Sequence, residues 1–559
     1  MRIHDRTLLQ WLQQPVPDRG VYFGAPGDNW DHWSYLRLAD LVHRYAGGLV
    51  ERGTRAGDVV VVVARSGPAF VAAMFGAMVA GATACAIAPR FGYQRGEDYE
   101  RHLTHVLGRA GPAVTVVDTD SQKPVQQALH RTGLAAPVLC DELGSGAPIA
   151  APRPPADVPL LQFTSGSSGY ARGVLISHRA LESNLAAIRD WLRLREGDAG
   201  LSWLPVHHDM GLIGNLISVC VAGIDWWCMQ PDDFIRTPLR FLRCISERRI
   251  DITSMPNFGL AYLLRRVSPD QLEDLRFDSL RAVILGAERV DPRLLERFEA
   301  LFSPYGLDRR ALLPAFGQAE ATLAVTGLPL GRGWTTARPQ GVRPGVADVV
   351  GCGQPLSGMS IAIVDDRDEQ VSDGVVGEIV VEGTSLAAGY AAERGPNDGS
   401  ERGSGSGTRI NGGRLHTGDA GFIQDRELFV LGRLGDGLKV RGRMVFAESI
   451  ELELAARGIA ERRAVALLGI RDGVPTAAVV IDAPDPKCTA TVREVLIERV
   501  GDAALYLICV PRGRLAVTSS GKPRRRVMWR ALCDGSLDGD IVDINAAPAA
   551  ALQRAVVME

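Results

Sequence analysis

Residues 161–178 read LQFTSGSSGYARGVLISH, with four hydroxyls and three glycines (Thr164, Ser165, Gly166, Ser167, Ser168, Gly169 and Gly173) packed into ten positions. Such a loop offers hydroxyl groups and backbone amides together and can close as a nest around phosphate. A plain Ser/Gly-rich turn has the same composition, so the flanks must decide. A nucleotide loop of the Walker kind needs Gly-Lys-Ser/Thr running straight into a helix. This loop has no lysine and leads into GVLIS, a strand-like run. Helical spacing starts only afterwards: Leu181, Leu185, Ile188 and Leu192 fall on one face, with Ser177 placed as the N-cap. The stretch therefore reads as strand, loop, strand, helix.

The same alternation continues outward. DVVVVVA, AVTVVD, RAVILGA, SIAIVD and GEIVVEG are strand candidates among amphipathic stretches, which up to about residue 390 argues for an α/β architecture. Residues 69–89, AFVAAMFGAMVAGATACAIAP, approach the roughly 20 apolar residues of a membrane span. Their glycines and alanines, and the β-like run just before them, favour a buried helix followed by a strand, and no membrane span is expected. The Gly/Ser-rich residues 393–413 read as a mobile surface loop. A compact α/β unit is expected from about 434 to 530, and the tail NAAPAAALQRAVVME carries no clear pattern.

At 559 residues the chain is too long for one core and should divide into several domains. A net charge of −3 offers no broad basic face, so nucleic acid is not an expected partner. The nine cysteines are scattered without metal-type spacing, and the start MRIHDRTLLQWLQQP has no apolar segment followed by a cleavage site; both suit a cytoplasmic protein with reduced thiols. Only four lysines occur, at 123, 439, 487 and 522, so almost all positive charge is arginine and each lysine retained merits attention. His207, His208 and Asp209 have the residue types of a metal site but no companion ligand cluster.

Four further stretches accompany the opening loop. They are WLPVHHDMGLIG (203–214), ILGAERV (284–290) with PAFGQAEATLAVTG (314–327), LHTGDAGFIQDRELFVLGRLGDGLKVRG (415–442) and TSSGKPRRR (518–526). In this order they resemble the adenylate-forming superfamily of acyl-CoA synthetases, adenylation domains and luciferases. FIRTPLRFLRCIS (234–246), SMPNFGLAYLL (254–264), GAERV and GQAEATL look most like its fatty acyl-AMP ligase branch. The resemblance runs from about residue 30 to 530.

The resemblance implies a large multi-subdomain N-terminal α/β domain (1–433) holding the ATP and acyl sites, and a small mobile C-terminal α+β lid (434–559). It implies activation of a hydrophobic carboxylic acid by ATP and Mg2+, giving an acyl-adenylate and pyrophosphate. Thr164–Gly169 would wrap the β and γ phosphates, with Arg172 standing where the superfamily usually has lysine. Adenine would lie between Gly286-Ala287-Glu288 and the ring of Phe316, within Phe316-Gly317-Gln318-Ala319-Glu320; core packing is the other role open to Phe316. Glu320 would hold Mg2+, Asp419 the ribose hydroxyls with help from Arg433, and Lys522 would bridge the substrate carboxylate and the α-phosphate. His208 would sit beside the acyl carbonyl at the mouth of a tunnel lined by GLIGNLISVCVAGI.

Two features depart from the superfamily pattern. Gly435 stands where the hinge normally carries Asp or Lys, and the 327–350 linker is shorter than the insertion of acyl-AMP ligases. Both would ease rotation of a lid. The expected acceptor is a separate acyl carrier protein, since too few residues follow 530 to form one. An acyl-CoA synthetase is the alternative, and a catalytically silent nucleotide- or acyl-binding relative is the alternative from another class.

Overall fold

The computed structural model describes residues 6–90, 96–149, 151–164, 171–340, 348–391, 407–440, 443–460, 463–482, 486–501, 503–518 and 522–544. Its architecture is α/β, built on two large sheets. In the first, the strands run Gly389–Tyr390, Gly173–Ile176, Leu160–Phe163, Thr83–Ala86, Val59–Val63, Val114–Val117 and Val138–Leu139. The last five are parallel, while Leu160–Phe163 and Gly173–Ile176 form an antiparallel pair around the Ser/Gly-rich loop. The second sheet carries a parallel block of Gly20–Gly24, Asp225–Cys228, Ala199–Ser202, Ile252–Met255, Ala282–Leu285 and Leu312–Gly317. Runs of Val and Ile with no polar alternation suit strands buried on both faces.

The membrane-like segment resolves as expected. Pro68–Val79 is a helix buried on nearly every side, and Thr83–Ala86 is a strand in the first sheet. Among the described residues no helix is long and apolar enough to cross a membrane. Small residues let this helix pack closely on the helix Tyr35–Glu51: a Cβ at Gly76 would lie 3.0 Å from Tyr45 Cβ. The helix His178–Leu192 starts at Ser177, whose hydroxyl accepts from the Ala180 amide at 3.1 Å. Leu181, Leu185, Ile188 and Leu192 are all buried. One apolar cluster extends from Leu8 to Ala387 and includes residues of both sheets.

A third sheet of Met359–Val364, Gly377–Gly383, Arg414–Gln424, Arg409–Asn411 and Glu427–Arg433 follows. Here the reading of 393–413 as one loop is corrected. Residues 392–406 lie outside the described residues, but Arg409–Asn411 is a strand paired with Arg414–Gln424. Gly412 and Gly413 both have positive φ (57° and 79°), so INGGR is a two-residue hairpin turn of the type that glycines favour. Beyond it, residues 438–544 build their own apolar cluster around Ala464–Arg471, Val474–Asp482 and Ala504–Val510. The tail from 545 lies outside the described residues.

All nine cysteines are free thiols; seven are buried, Cys488 is half-buried and Cys533 is exposed.

Candidate active site

The two strands of the opening stretch hold the ends of their loop together. The Thr164 amide donates to the Arg172 carbonyl at 2.9 Å. Ser165, Gly166, Ser167, Ser168 and Gly169 fall outside the described residues. Arg172, at the far end, lays its guanidinium over the ring of Tyr390, 3.5 Å from the centroid, and donates to the Thr408 carbonyl at 3.0 Å.

Glu320 lies in a single 3-10 turn, Ala319–Ala321, directly after the strand Leu312–Gly317. The chain then turns through Thr322 (φ 69°), whose hydroxyl anchors to the Ser385 carbonyl at 2.7 Å. Glu320 is buried, and its Oε1 accepts from the Tyr390 hydroxyl at 2.9 Å. On the same strand and turn, Phe316 is half-buried against the cluster of Ala321 and Val325. Gly317 has no room for a Cβ beside the Leu323 carbonyl. Ala319 and Gln318 are buried, and neither end of the Gln318 amide bonds a described residue.

Gly286-Ala287-Glu288 leaves the C-terminal end of Ala282–Leu285, beside that of Leu312–Gly317. Ala287 adopts φ 70°, and the Glu288 carboxylate accepts from the Phe258 amide at 3.2 Å in the first turn of the helix Asn257–Arg266. The Glu288 carboxylate thereby supports a helix start.

Asp419 and Arg433 are direct cross-strand partners, and Arg433 Nε donates to Asp419 Oδ1 at 2.9 Å. Arg433 also donates to the Thr408 hydroxyl at 3.1 Å. Burial pushes the Asp419 carboxyl above its ordinary range, with the Arg433 guanidinium opposing and nearby Glu320 adding to the rise. The same Asp419 feels the positive charge of Lys522.

Lys522 closes a small loop in which its carbonyl accepts from the Thr518 amide (2.8 Å) and its own amide donates to the Thr518 hydroxyl (3.1 Å). Its charge also reaches His208 and Asp209. Burial pushes the His208 imidazole down to about 4, with Lys522 acting in the same direction, so His208 is neutral at ordinary pH. Asp209 accepts from the Met210 amide at 2.8 Å and caps the wide π-helical turn Met210–Ile217, which accounts for the acid in His207-His208-Asp209 structurally. Such π turns recur at functional sites.

The fold thus links Arg172, Glu320, Asp419 and Arg433 from distant parts of the chain through Tyr390, Thr408 and direct pairing, and the charge of Lys522 reaches Asp419 and His208. Sequence reasoning missed Tyr390 and Thr408, which connect them. Neither carries a local signature: one is a lone tyrosine in AAGY, the other ends a Gly/Ser-rich run.

A profile of AMP-binding enzymes matches residues 9–391, and the chain belongs to that family. It is 30% identical over 437 residues to a putative acyl-CoA synthetase of Caulobacter vibrioides, covering 75% of this chain and 74% of the relative. It is 31% identical over 408 residues to the medium-chain-fatty-acid–acyl-carrier-protein ligase JamA of Moorena producens, covering 68% of each. A solved structure from a study of fatty acyl-adenylate ligases from E. coli and L. pneumophila superposes with a TM-score of 0.86 at 27% identity, over 96% of this chain and 99% of that one.

Proposed function

We propose that this protein activates a hydrophobic carboxylic acid as its acyl-adenylate and passes the acyl group to a separate carrier protein in the cytoplasm. The observation that carries the reading is the chain of contacts joining Glu320, Arg172, Arg433 and Asp419 from distant parts of the sequence, with the charge of Lys522 felt at Asp419 and His208. In this reading residues 1–433 hold ATP and the acid, and 434–559 form a lid that delivers Lys522.

The acid's carboxylate oxygen attacks the α-phosphorus of ATP, a new O–P bond forms, and the bond to the bridging oxygen breaks to release pyrophosphate. Two anions must approach, so positioning and charge neutralisation dominate. Lys522 supplies a compact cation where two oxygens converge. Asp419, held by Arg433, receives the ribose hydroxyls. Arg172 and the Thr164–Gly169 loop take the outer phosphates, and adenine rests between the backbone of 286–288 and Phe316. Neutral His208 faces the acyl carbonyl as a hydrogen-bonding group, and the Gln318 amide, which bonds no described residue, meets the adenylate.

The residues present fit a magnesium ion. Glu320 is a hard oxygen donor, and its Oε2 accepts from no described residue. Mg2+ there would neutralise phosphate charge as pyrophosphate departs.

A second reading, transfer to CoA, has two specific observations behind it. The short 327–350 linker favours lid rotation, and one relative is named a putative acyl-CoA synthetase. ATP–pyrophosphate exchange with a panel of fatty acids tests the shared first step. Wild type is expected to exchange with medium or long acids, and Lys522→Ala to fall by a factor of about 10²–10³ with ATP affinity little changed. Absence of exchange with every acid would favour a silent binding relative, and full exchange by Lys522→Ala would remove the role given to that lysine.

A further inference from the structure

Tyr390 occupies a position that no motif reading assigned. It lies on the two-residue strand Gly389–Tyr390, opposite Val174, next to the strand that leaves the Ser/Gly-rich loop. The backbone around it is tied down on both sides: the Ala391 amide donates to the Gly173 carbonyl, the Ala388 amide to Leu175, and the Ala387 amide to Glu320 itself at 2.9 Å. From this fixed place its side chain does two things. The face carries the Arg172 guanidinium at 3.5 Å, and the hydroxyl reaches Glu320 Oε1 at 2.9 Å.

Arg172 has a second anchor in the Thr408 carbonyl, and the Thr408 hydroxyl accepts from Arg433, the partner of Asp419. The result is a continuous polar belt: Glu320, Tyr390, Arg172, Thr408, Arg433, Asp419. The belt suits an arginine at position 172. A planar guanidinium stacks on an aromatic face and can still present its remaining N–H groups, whereas an ammonium is a hydrated point charge.

We propose that Tyr390 is a positioning residue: its hydroxyl fixes one oxygen of Glu320 so that the other faces the divalent ion, and its ring holds Arg172 toward the nucleotide phosphates. This rests on the reading in which Glu320 holds Mg2+. The two halves of the side chain separate experimentally. Tyr390→Phe keeps the platform and loses the hydroxyl, so the Mg2+ needed for half-maximal exchange is expected to rise about tenfold, with the KM for ATP at saturating Mg2+ unchanged. Tyr390→Leu loses both, and the KM for ATP is expected to rise about tenfold as well.

A readout independent of turnover is the binding of Mn2+ to the protein with ATP, followed by loss of the free-ion EPR signal. Tyr390→Phe is expected to weaken it about tenfold, and Glu320→Gln at least as much. Wild-type Mn2+ affinity in Tyr390→Phe, with affinity lost in Glu320→Gln, overturns the proposal and leaves the role of Glu320 standing. Wild-type affinity in Glu320→Gln removes that role itself. Equal losses in Phe and Leu variants, matched by equal falls in Tm, would mark Tyr390 as purely structural and also overturn the proposal.

Discussion

Asp419 is a carboxylate that the fold both buries and pairs. Its Arg433 partner is supplied by strand register, so the pair is preformed, as the proposed ribose contact needs. Hydrogen bonds to an ionised acceptor are each worth about 1.5–3 kcal/mol. Asp419→Ala should therefore weaken ATP binding about 10- to 100-fold by calorimetry, and unchanged affinity would contradict the ribose contact. At this scale the sequence was partly legible. Asp419 and Lys522 stand in compact motifs whose spacing survives folding, and the Ser177 cap depends only on its neighbours. Tyr390 and Thr408 gain meaning only when strands far apart in sequence lie side by side, and nothing local announces them.

At the scale of elements, the junction between Glu427–Arg433 and the helix Ala447–Ala456 concentrates charge. Arg525 reaches Glu448 at 3.1 Å, Glu451 at 2.6 Å and Asp436 at 3.5 Å, while Arg289 of the GAERV segment faces Glu448 from the other side. Burial, aided by Asp436 and Glu451 and opposed by Arg525, pushes Glu448 up to about 7. A carboxyl raised in the folded state binds its proton more tightly there than when unfolded. Stability is then greatest below the unfolded value of 4.5 and falls as pH rises toward 7, where the loss is complete. The wild-type Tm, measured against Glu448→Gln, should drop across that window by the equivalent of about 3 kcal/mol at most. A difference independent of pH would contradict it.

Gly435 belongs to the same junction. The freedom of glycine predicted an unconstrained hinge, yet its φ is not in the left-handed region, and a Cβ there would collide with the Arg526 guanidinium. An arginine from the helix Arg525–Cys533 fills the space that a hinge side chain would take. The sequence shows the missing side chain but not its replacement, because the two positions come together only through tertiary packing. The 393–413 stretch teaches a related lesson. Composition marked it as loop, but its end, INGGR, is a hairpin whose strands are recruited by the neighbouring sheet.

For the whole molecule, the α/β architecture was legible from alternating apolar runs, and residues between 438 and 544 gather an apolar cluster of their own. What alternation does not encode is how that unit meets the rest. Arg293 donates to the Leu452 carbonyl at 3.0 Å, and the charge of Lys522 reaches Asp419 and His208, as the proposed adenylation step needs. Thioester formation at the same site would require the lid to rotate away from these contacts. Arg293 on the Leu452 carbonyl and the attraction of Arg289 to Glu448 cross from residues 1–433 to the lid and oppose that rotation. The decisive measurement is chromatography of the products from protein, ATP, Mg2+ and a medium or long acyl acid, with and without CoA. Acyl-AMP should accumulate in both cases, with little thioester when CoA is present; rapid, near-complete conversion to acyl-CoA would contradict the assignment.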